Sequence, residues 1–399
     1  MQSLKDADLN GKTVLMRVDF NVPMDKDGNI IDDTKIRAAL PSIEYVINRG
    51  AKLIVMSHLG RPKGKPEEKY SMKRVAEYLA GLVNTRVKMA NESIGQQVQQ
   101  EVKELKPGEI LVLENVRFHA EEEKNDKEHA RQLAALADIF VNDAFGSAHR
   151  AHASTAGVAE YLPAYAGFLL ESEVGMLRKV LDYPESPRMA ILGGAKVADK
   201  LGLIENLCGK MDLILIGGGM ANTFLKAQGK NIGLSKYEPD LVEQACKLLE
   251  QAPARRVKIL LPVDAVVATE ISPEAVGQIV PVDKVPDDCM ILDIGPETIA
   301  LFAEAIAEAR TIVWNGPLGV YEYNQFAQGT REVARAVADS GAVSVIGGGD
   351  SAAAVHNMGL ESKITHISTG GGATLEFLEG QVLPGVAVVE TANMPTGII

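Results

Sequence analysis

Cysteine is scarce. Only Cys208, Cys246 and Cys289 occur in 399 residues, far apart and without C-x-x-C spacing, so neither a disulfide framework nor a zinc cluster is suggested and a reducing compartment is expected. Positive charge is also in short supply: 41 Lys and Arg face 53 Asp and Glu, for a formal net charge of -12. Nucleic acid and anionic membranes need a basic surface, so neither is expected as a main partner, and any cationic site must be local. No run approaches the roughly 18 apolar residues that span a bilayer, and Met1 to Asn10 lacks the charged-then-apolar order of a signal peptide. A cytoplasmic location follows as the expectation, and the Asn91-Glu92-Ser93 sequon then has no secretory route to make it an acceptor. Two phosphate-loop signatures are missing as well. No G-x-x-x-x-G-K-[ST] occurs, and G-x-G-x-x-G fails after Gly217 and Gly347.

What is present is ordinary globular usage, 46% hydrophobic and 24% charged, over a length greater than one hydrophobic core usually supports. Short β-branched runs alternate with amphipathic stretches. In the first half they are Thr13 to Arg17, Lys52 to Met56, Glu109 to Leu113 and Asp138 to Val141. In the second they are Met189 to Leu192, Asp212 to Ile216, Met290 to Asp293, Thr311 to Trp314, Ala342 to Ile346 and His366 to Ser368. Each half reads as a parallel sheet wrapped by helices. Phe168 to Leu181 has apolar residues at helical spacing and is followed by Tyr183-Pro184 and Ser186-Pro187, which predicts a connecting helix and then a linker. The fold class expected is α/β, with two Rossmann-like domains separated by a hinged cleft.

In open parallel sheets ligands bind beyond the carboxyl ends of the strands. In the first half those positions hold Arg17, Asp19 and Asn21, then His58 and Arg61, then Arg117 and His119, then Asp143, His149, Arg150 and His152. Each arginine alone could be a surface ion pair. Arginines at successive strand ends suit an anion with more than one charged group, and a small phosphorylated acid is the simplest. His149 and His152 have H-x-x-H spacing, a weak metal signal without further ligands. In the second half the same positions hold glycine: Gly193-Gly194, Gly217 to Gly219, Gly316, Gly347 to Gly349 and Gly370 to Gly372. Such turns either permit tight packing alone or let backbone N–H groups at a helix start meet phosphate, as a nucleotide would require. Lys196 and Lys200, four apart, are expected on one helix face pointing back to the strand end. Asp350 is open between an N-cap and a carboxylate near magnesium.

These residues lie in segments that resemble phosphoglycerate kinase along essentially the whole chain: RVDFNVP from Arg17, TKIRAALP from Thr34, SHLGRP from Ser57, LENVRF from Leu113 and NDAFGSAHRAHAS from Asn142. LGGAKVADK from Leu192, IGGGMANTF from Ile216, IGPET from Ile294, WNGPLGVYE from Trp314, IGGGDS from Ile346 and STGGGA from Ser368 follow. The resemblance implies a 3-phosphoglycerate-binding domain over 1–167 with 385–399, a connecting helix and linker over 168–187, and a nucleotide-binding domain over 188–384. It implies 3-phosphoglycerate contacts from Asp19, Phe20, Asn21, Arg37, His58, Leu59, Gly60, Arg61, Arg117 and Arg150. Nucleotide contacts are implied for Lys196, Lys200, Gly295, Asn315, Glu322, Gly348, Gly349, Asp350 and Ser351, with Glu322 on the ribose and Asp350 near nucleotide-bound Mg2+. Ser351 stands where threonine is common, and Tyr321 where phenylalanine is. The family does not fix how Thr391 to Ile399 pack.

The activity implied is reversible phosphoryl transfer between ATP or ADP and 3-phosphoglycerate or 1,3-bisphosphoglycerate in glycolysis, by a monomer with no prosthetic group. A carboxylate acceptor is already ionised near neutral pH, so no general base is needed and catalysis rests on positioning and cations. Arg37, Lys196, Lys200 and the helix start at Gly371 are the catalytic candidates. Direct transfer would follow domain closure that excludes water. Two other readings share features: an NAD-dependent dehydrogenase, which lacks its fingerprint, and a non-catalytic nucleotide sensor, which would not keep the arginine rim.

Overall fold

Strands and helices alternate from the start of the chain, and the computed structural model, which describes residues 1–391, groups them into two compact units. The first comprises Met1–Val174 with the stretch from Val382, the second Gly175–Gln381.

In the first unit the strands are β1 (Thr13–Val18), β2 (Lys52–Met56), β3 (Val87–Met89), β4 (Ile110–Val112), β5 (Ile139–Asp143) and β6 (Ala164–Ala166). They form one sheet in the order β3-β4-β2-β1-β5-β6, and every pair is parallel. The helices are α1 (Thr34–Asn48), α2 (Lys73–Leu82), α3 (Gln96–Glu104), α4 (Ala120–Glu123), α5 (Lys127–Ala134) and the start of α6 (Phe168–Asp182), which from Gly175 on belongs to the second unit. Val14, Met16 and Val18 of β1 and Leu53 and Val55 of β2 pack with Ile36, Ile43 and Val46 of α1 and Val75 and Leu79 of α2, all fully buried. Strands covered on both faces read as continuous apolar runs, which is why β1 and β2 carry no alternation. The chain leaves β1 for β2 on one side and returns to β5 on the other, placing the topological switch, where open sheets hold ligands, at the carboxyl end of β1.

The second unit repeats the plan. Its strands are β7 (Arg188–Leu192), β8 (Leu213–Ile216), β9 (Lys258–Leu260), β10 (Asp264–Ala268), β11 (Gln278–Pro281), β12 (Met290–Ile294), β13 (Thr311–Asn315), β14 (Val343–Gly347) and β15 (His366–Ile367). Six of them form a parallel sheet in the order β15-β14-β13-β7-β8-β9, with the switch between β7 and β13. The helices are α7 (Leu201–Leu207), α8 (Met220–Ala227), α9 (Val242–Gln251), α10 (Pro296–Glu308), α11 (Gln328–Asp339), α12 (Gly349–Asn357) and α13 (Gly372–Leu378). The sole tryptophan, Trp314, is fully buried in a core with Ile191, Ile312, Phe302 and Val333.

One strand departs from expectation. Met290 to Asp293, expected in the parallel sheet, lies in β12 of a separate three-stranded antiparallel sheet ordered β11-β10-β12. The predicted connecting helix is α6, one residue longer than its apolar spacing indicated. A last helix, α14 (Pro384–Thr391), joins the first unit: the Gly385 N–H donates to Ala148 O at 2.8 Å, and the Asn142 side-chain amide donates to Gly385 O at 2.8 Å. Of the segment 385–399, residues 392–399 lie outside the described residues.

Candidate functional site: two rims at the strand ends

In the first unit the loops leaving β1, β2 and β4 are laced together. The Phe20 N–H donates to Ser57 Oγ at 2.9 Å, and the Gly60 N–H to Asn21 Oδ1 at 2.9 Å. Asn115, fully buried, donates its amide to Leu59 O at 2.7 Å and Tyr70 O at 2.9 Å. Arg117 donates to Gly60 O at 3.1 Å and pairs with Glu123 at 3.3 Å. Gly60 has a φ of +61° and would drive any Cβ into the Tyr70 ring, so the tight turn needs glycine. These bonds bring Asp19, Phe20, Asn21, His58, Leu59, Gly60 and Arg117 of the expected set into one rim, with Leu59 buried.

The electrostatics of this rim are those of a buried cationic site. Asp19, 8% exposed, is paired with Lys35 at 3.0 Å. Burial pushes its carboxyl up, but Lys35 with the other nearby cations holds it below its ordinary value. His58 is driven well below the ordinary imidazole value, first by burial and then by Arg17. Burial likewise lowers Arg117. Arg61 and Arg150 are exposed, and among the described residues neither has a carboxylate partner. Arg37 stands apart: it lies on α1, exposed, with its Nε donating to Asp33 at 2.6 Å, and that pairing raises its already high pKa. His152 is buried and pushed down to about 4 by burial and then by Arg117, Arg17 and Arg150. Among the described residues no group of three or more His, Cys, Asp or Glu side chains could hold a metal ion.

The second rim is built from backbone. At the β7/β13 switch the Gly193 N–H donates to Asn315 O at 2.9 Å and the Gly194 N–H to Pro317 O at 2.7 Å. Gly218, with φ +65°, abuts Gly194 and Pro317, so no side chain fits there. Ser351 Oγ accepts from the Gly316 N–H at 2.8 Å, tying the first turn of α12 to the end of β13. Asn315 is 3% exposed, and its side-chain amide nitrogen has no hydrogen-bond partner. A buried donor left unpaired is costly, so a ligand acceptor there would recover that energy. Gly348, with φ +91°, caps α12; Gly349 and Asp350 follow in its first turn, both exposed. Asp350 is therefore not the N-cap. Glu322 is exposed in the loop after β13, and Gly371, with φ +53°, precedes α13.

One expectation changes here. Lys196 and Lys200 do not share a helix face, because α7 begins only at Leu201. Lys196 is exposed, whereas Lys200 is 8% exposed and turns inward, donating to Gly193 O and to Asn315 O at 3.4 Å. Burial pulls Lys200 down to about 8. At Gly295 the helix start is already filled: Asp264 accepts from the Glu297 N–H at 3.0 Å and the Thr298 N–H at 2.8 Å. Any ligand contact at Gly295 must use other backbone atoms. The strand-end residues also rest on side chains that sequence reasoning passed over. Ser57, Asn115 and Ser154 sat inside quoted motifs, while Glu122 had no signal beyond its neighbours.

Residues 4–381 match the family model described as phosphoglycerate kinase. The phosphoglycerate kinase of Moorella thermoacetica is 57% identical over 387 residues, covering 97% of this chain and 98% of that protein. That of Pelotomaculum thermopropionicum is 55% identical over 385 residues, covering 96% and 98%. Among solved structures, the phosphoglycerate kinase from Coxiella burnetii is 44% identical, with a TM-score of 0.90 over 98% of this chain and 99% of that one. The Pyrococcus horikoshii enzyme is 37% identical, with a TM-score of 0.85 and the same coverage.

Proposed function

The chain belongs to the phosphoglycerate kinase family, and from that premise we propose that the first unit's cationic rim holds 3-phosphoglycerate and the second unit's glycine rim holds the nucleotide. The chain is a phosphotransferase with a carboxyl acceptor, moving a phosphoryl group reversibly between ATP and 3-phosphoglycerate in glycolysis. The observation that carries the assignment of rims is their contrast. At one switch point arginines and His58 cluster; at the other lie glycine turns, the unpaired side-chain amide of Asn315, and Lys200.

In this reading Arg61, Arg117 and Arg150 grip the acid's phosphate and carboxylate, while Asp19 and Asn21 fix the loops and accept from its hydroxyl. The carboxylate attacks the γ-phosphorus without prior deprotonation, since its ordinary pKa of roughly 4 leaves it ionised. Lys200 lies where charge builds on the transferring group, and Lys196, exposed on the same loop, reaches the phosphates from solvent. Glu322 takes the ribose and the first turn of α12, Gly348 to Ser351, takes the outer phosphates. Arg37 and the Gly371 turn complete the charge stabilisation. A nucleotide brings its own Mg2+. Asp350, a single exposed carboxylate, suits an ion already held by phosphates better than a resident metal site. Because each ligand has its own rim, transfer requires a state in which the two are in line and water is excluded. We further take the protein to be cytoplasmic and monomeric, in keeping with its acidic charge; no helix among the described residues is long and apolar enough to cross a membrane.

The test is a coupled assay with 3-phosphoglycerate and MgATP. Turnover of both substrates in equal amounts is expected, and nucleotide binding without any turnover would overturn the reading.

A further inference from the structure

Beneath the first rim runs a chain of fully buried polar groups that the reaction described above does not use. Arg17, in β1, has no exposed surface. Its Nε donates to Ser154 Oγ at 2.7 Å, one terminal nitrogen donates to Val18 O, and the other lies 3.0 Å from His58 Nδ1. Ser154 passes the link on, donating its hydroxyl to Glu122 Oε1 at 2.5 Å and its N–H to Oε2 at 2.9 Å. Glu122 is also without exposed surface. So a buried carboxylate, a hydroxyl and a guanidinium run in series to the imidazole of the rim.

Donor and acceptor chemistry settles the state of that imidazole. A guanidinium has only donors, so His58 Nδ1 must be the acceptor and the ring proton must sit on Nε2. Protonating Nδ1 would break the bond and set two cations against each other in a largely buried site. The charged groups around His58 are Arg17 on β1, Asp19 beyond it, Lys35 on α1 and Arg117 beyond β4, three cations against one anion. Arg17 cannot swing away, since Ser154 and Val18 hold its remaining nitrogens.

We propose that Arg17, anchored through Ser154 to Glu122, is a positioning residue that locks His58 as a neutral Nε2–H donor toward 3-phosphoglycerate. This rests on the assignment of the acid to the first rim. The consequence is specific. A neutral donor gives the same hydrogen bond throughout the range near pH 6 where a phosphate monoester takes its second charge, so the site does not lose or gain a cation as its ligand changes charge. Arg17 itself never meets the ligand, because it has no surface to offer.

The experiment is nitrogen NMR on the full chain with labelled histidine, the His58 signal being identified among seven histidines by its loss in His58→Gln. Without any ligand, His58 is expected to show an acceptor-type Nδ1 and a protonated Nε2, unchanged from pH 5.5 to 8.5. A His58 that titrates near 6.5, or that carries its proton on Nδ1, overturns the proposal even if the acid binds as assigned. The second arm is the pH profile of KM for 3-phosphoglycerate in Arg17→Met, divided by the wild-type profile so that ionisation of the substrate cancels. Released from Arg17, His58 should titrate at higher pH than in the wild type, with burial still holding it below its ordinary value, and the KM ratio should fall toward pH 5.5 as an imidazolium begins to form. A ratio that is raised but flat across pH would mean that Arg17 is merely structural. Should Arg17→Met not fold, Glu122→Gln, which keeps the shape and removes the anchoring charge, is expected to give the same trend more weakly, and the wild-type spectrum still decides.

Discussion

Arg37 differs from the other rim cations in where the chain puts it. Arg61 and Arg117 follow strand ends and Arg17 lies inside β1, one residue before its end, whereas Arg37 lies on α1, exposed and held by Asp33, which also accepts from Tyr78 at 2.7 Å. A side chain parked on a neighbouring carboxylate is available for release when a stronger anion arrives. If it meets the phosphoryl group chiefly during transfer, its charge counts in the transition state and little in the ground state. Arg37→Ala should then lower kcat on the order of 10³-fold, by analogy with other cationic contacts to a transferring phosphoryl group, with KM changing far less. A raised KM for 3-phosphoglycerate with kcat intact would make it an ordinary binding group. At this scale the sequence exposed the arginines and histidines well, because polar residues just after apolar runs stand out. It could not expose Glu122 as a buried anchor: the residue sits in His119-Ala-Glu-Glu-Glu-Lys124, which reads as a solvated surface until the fold buries one of three identical side chains.

Elements were legible where the apolar run was long. β2 coincides with the expected Lys52 to Met56, and β1, β7 and β13 differ from expectation by one residue at an end. The three-residue strands β3, β4, β6 and β9 are too short to show a period, and of these only β4, extended by the apolar Leu113, was expected. The partner of β12 was not legible either, since an apolar run fully covered by neighbours looks the same in a parallel or an antiparallel sheet. Asp293 in β12 shows what holds that second sheet to its helix. Its carboxylate accepts from the Gly329 N–H in α11 at 2.8 Å and from the Ile294 N–H at 2.9 Å, and burial pushes it up to about 7. Between roughly pH 4, where the unfolded chain loses this proton, and about 7, the native state keeps it. Asp293 therefore contributes most to stability at low pH and loses that contribution as pH rises through 7. The difference in Tm between wild type and Asp293→Asn should shrink steadily from pH 5 to pH 8. A difference that is constant or grows with pH would contradict the protonated native state.

At the scale of the whole molecule, the sequence made the two-unit plan readable because each half carries its own set of strand runs, and the return of the chain to the first unit was visible only through family resemblance. Nothing in the apolar pattern of residues 384–391 says which core takes it; the contacts of Gly385 with Ala148 and Asn142 do. The net charge of -12 likewise hides the site, since the cations that matter are few and gathered at one sheet end. The central claim is that this molecule binds its two substrates on separate rims. Calorimetric titration of wild type and Arg61→Ala with 3-phosphoglycerate and, separately, with MgADP tests it most directly. The account predicts that Arg61→Ala weakens 3-phosphoglycerate at least tenfold, in line with the roughly 1.5–3 kcal/mol of a hydrogen bond to a charged group, and leaves MgADP affinity nearly unchanged. Equal loss of affinity for both ligands would contradict it.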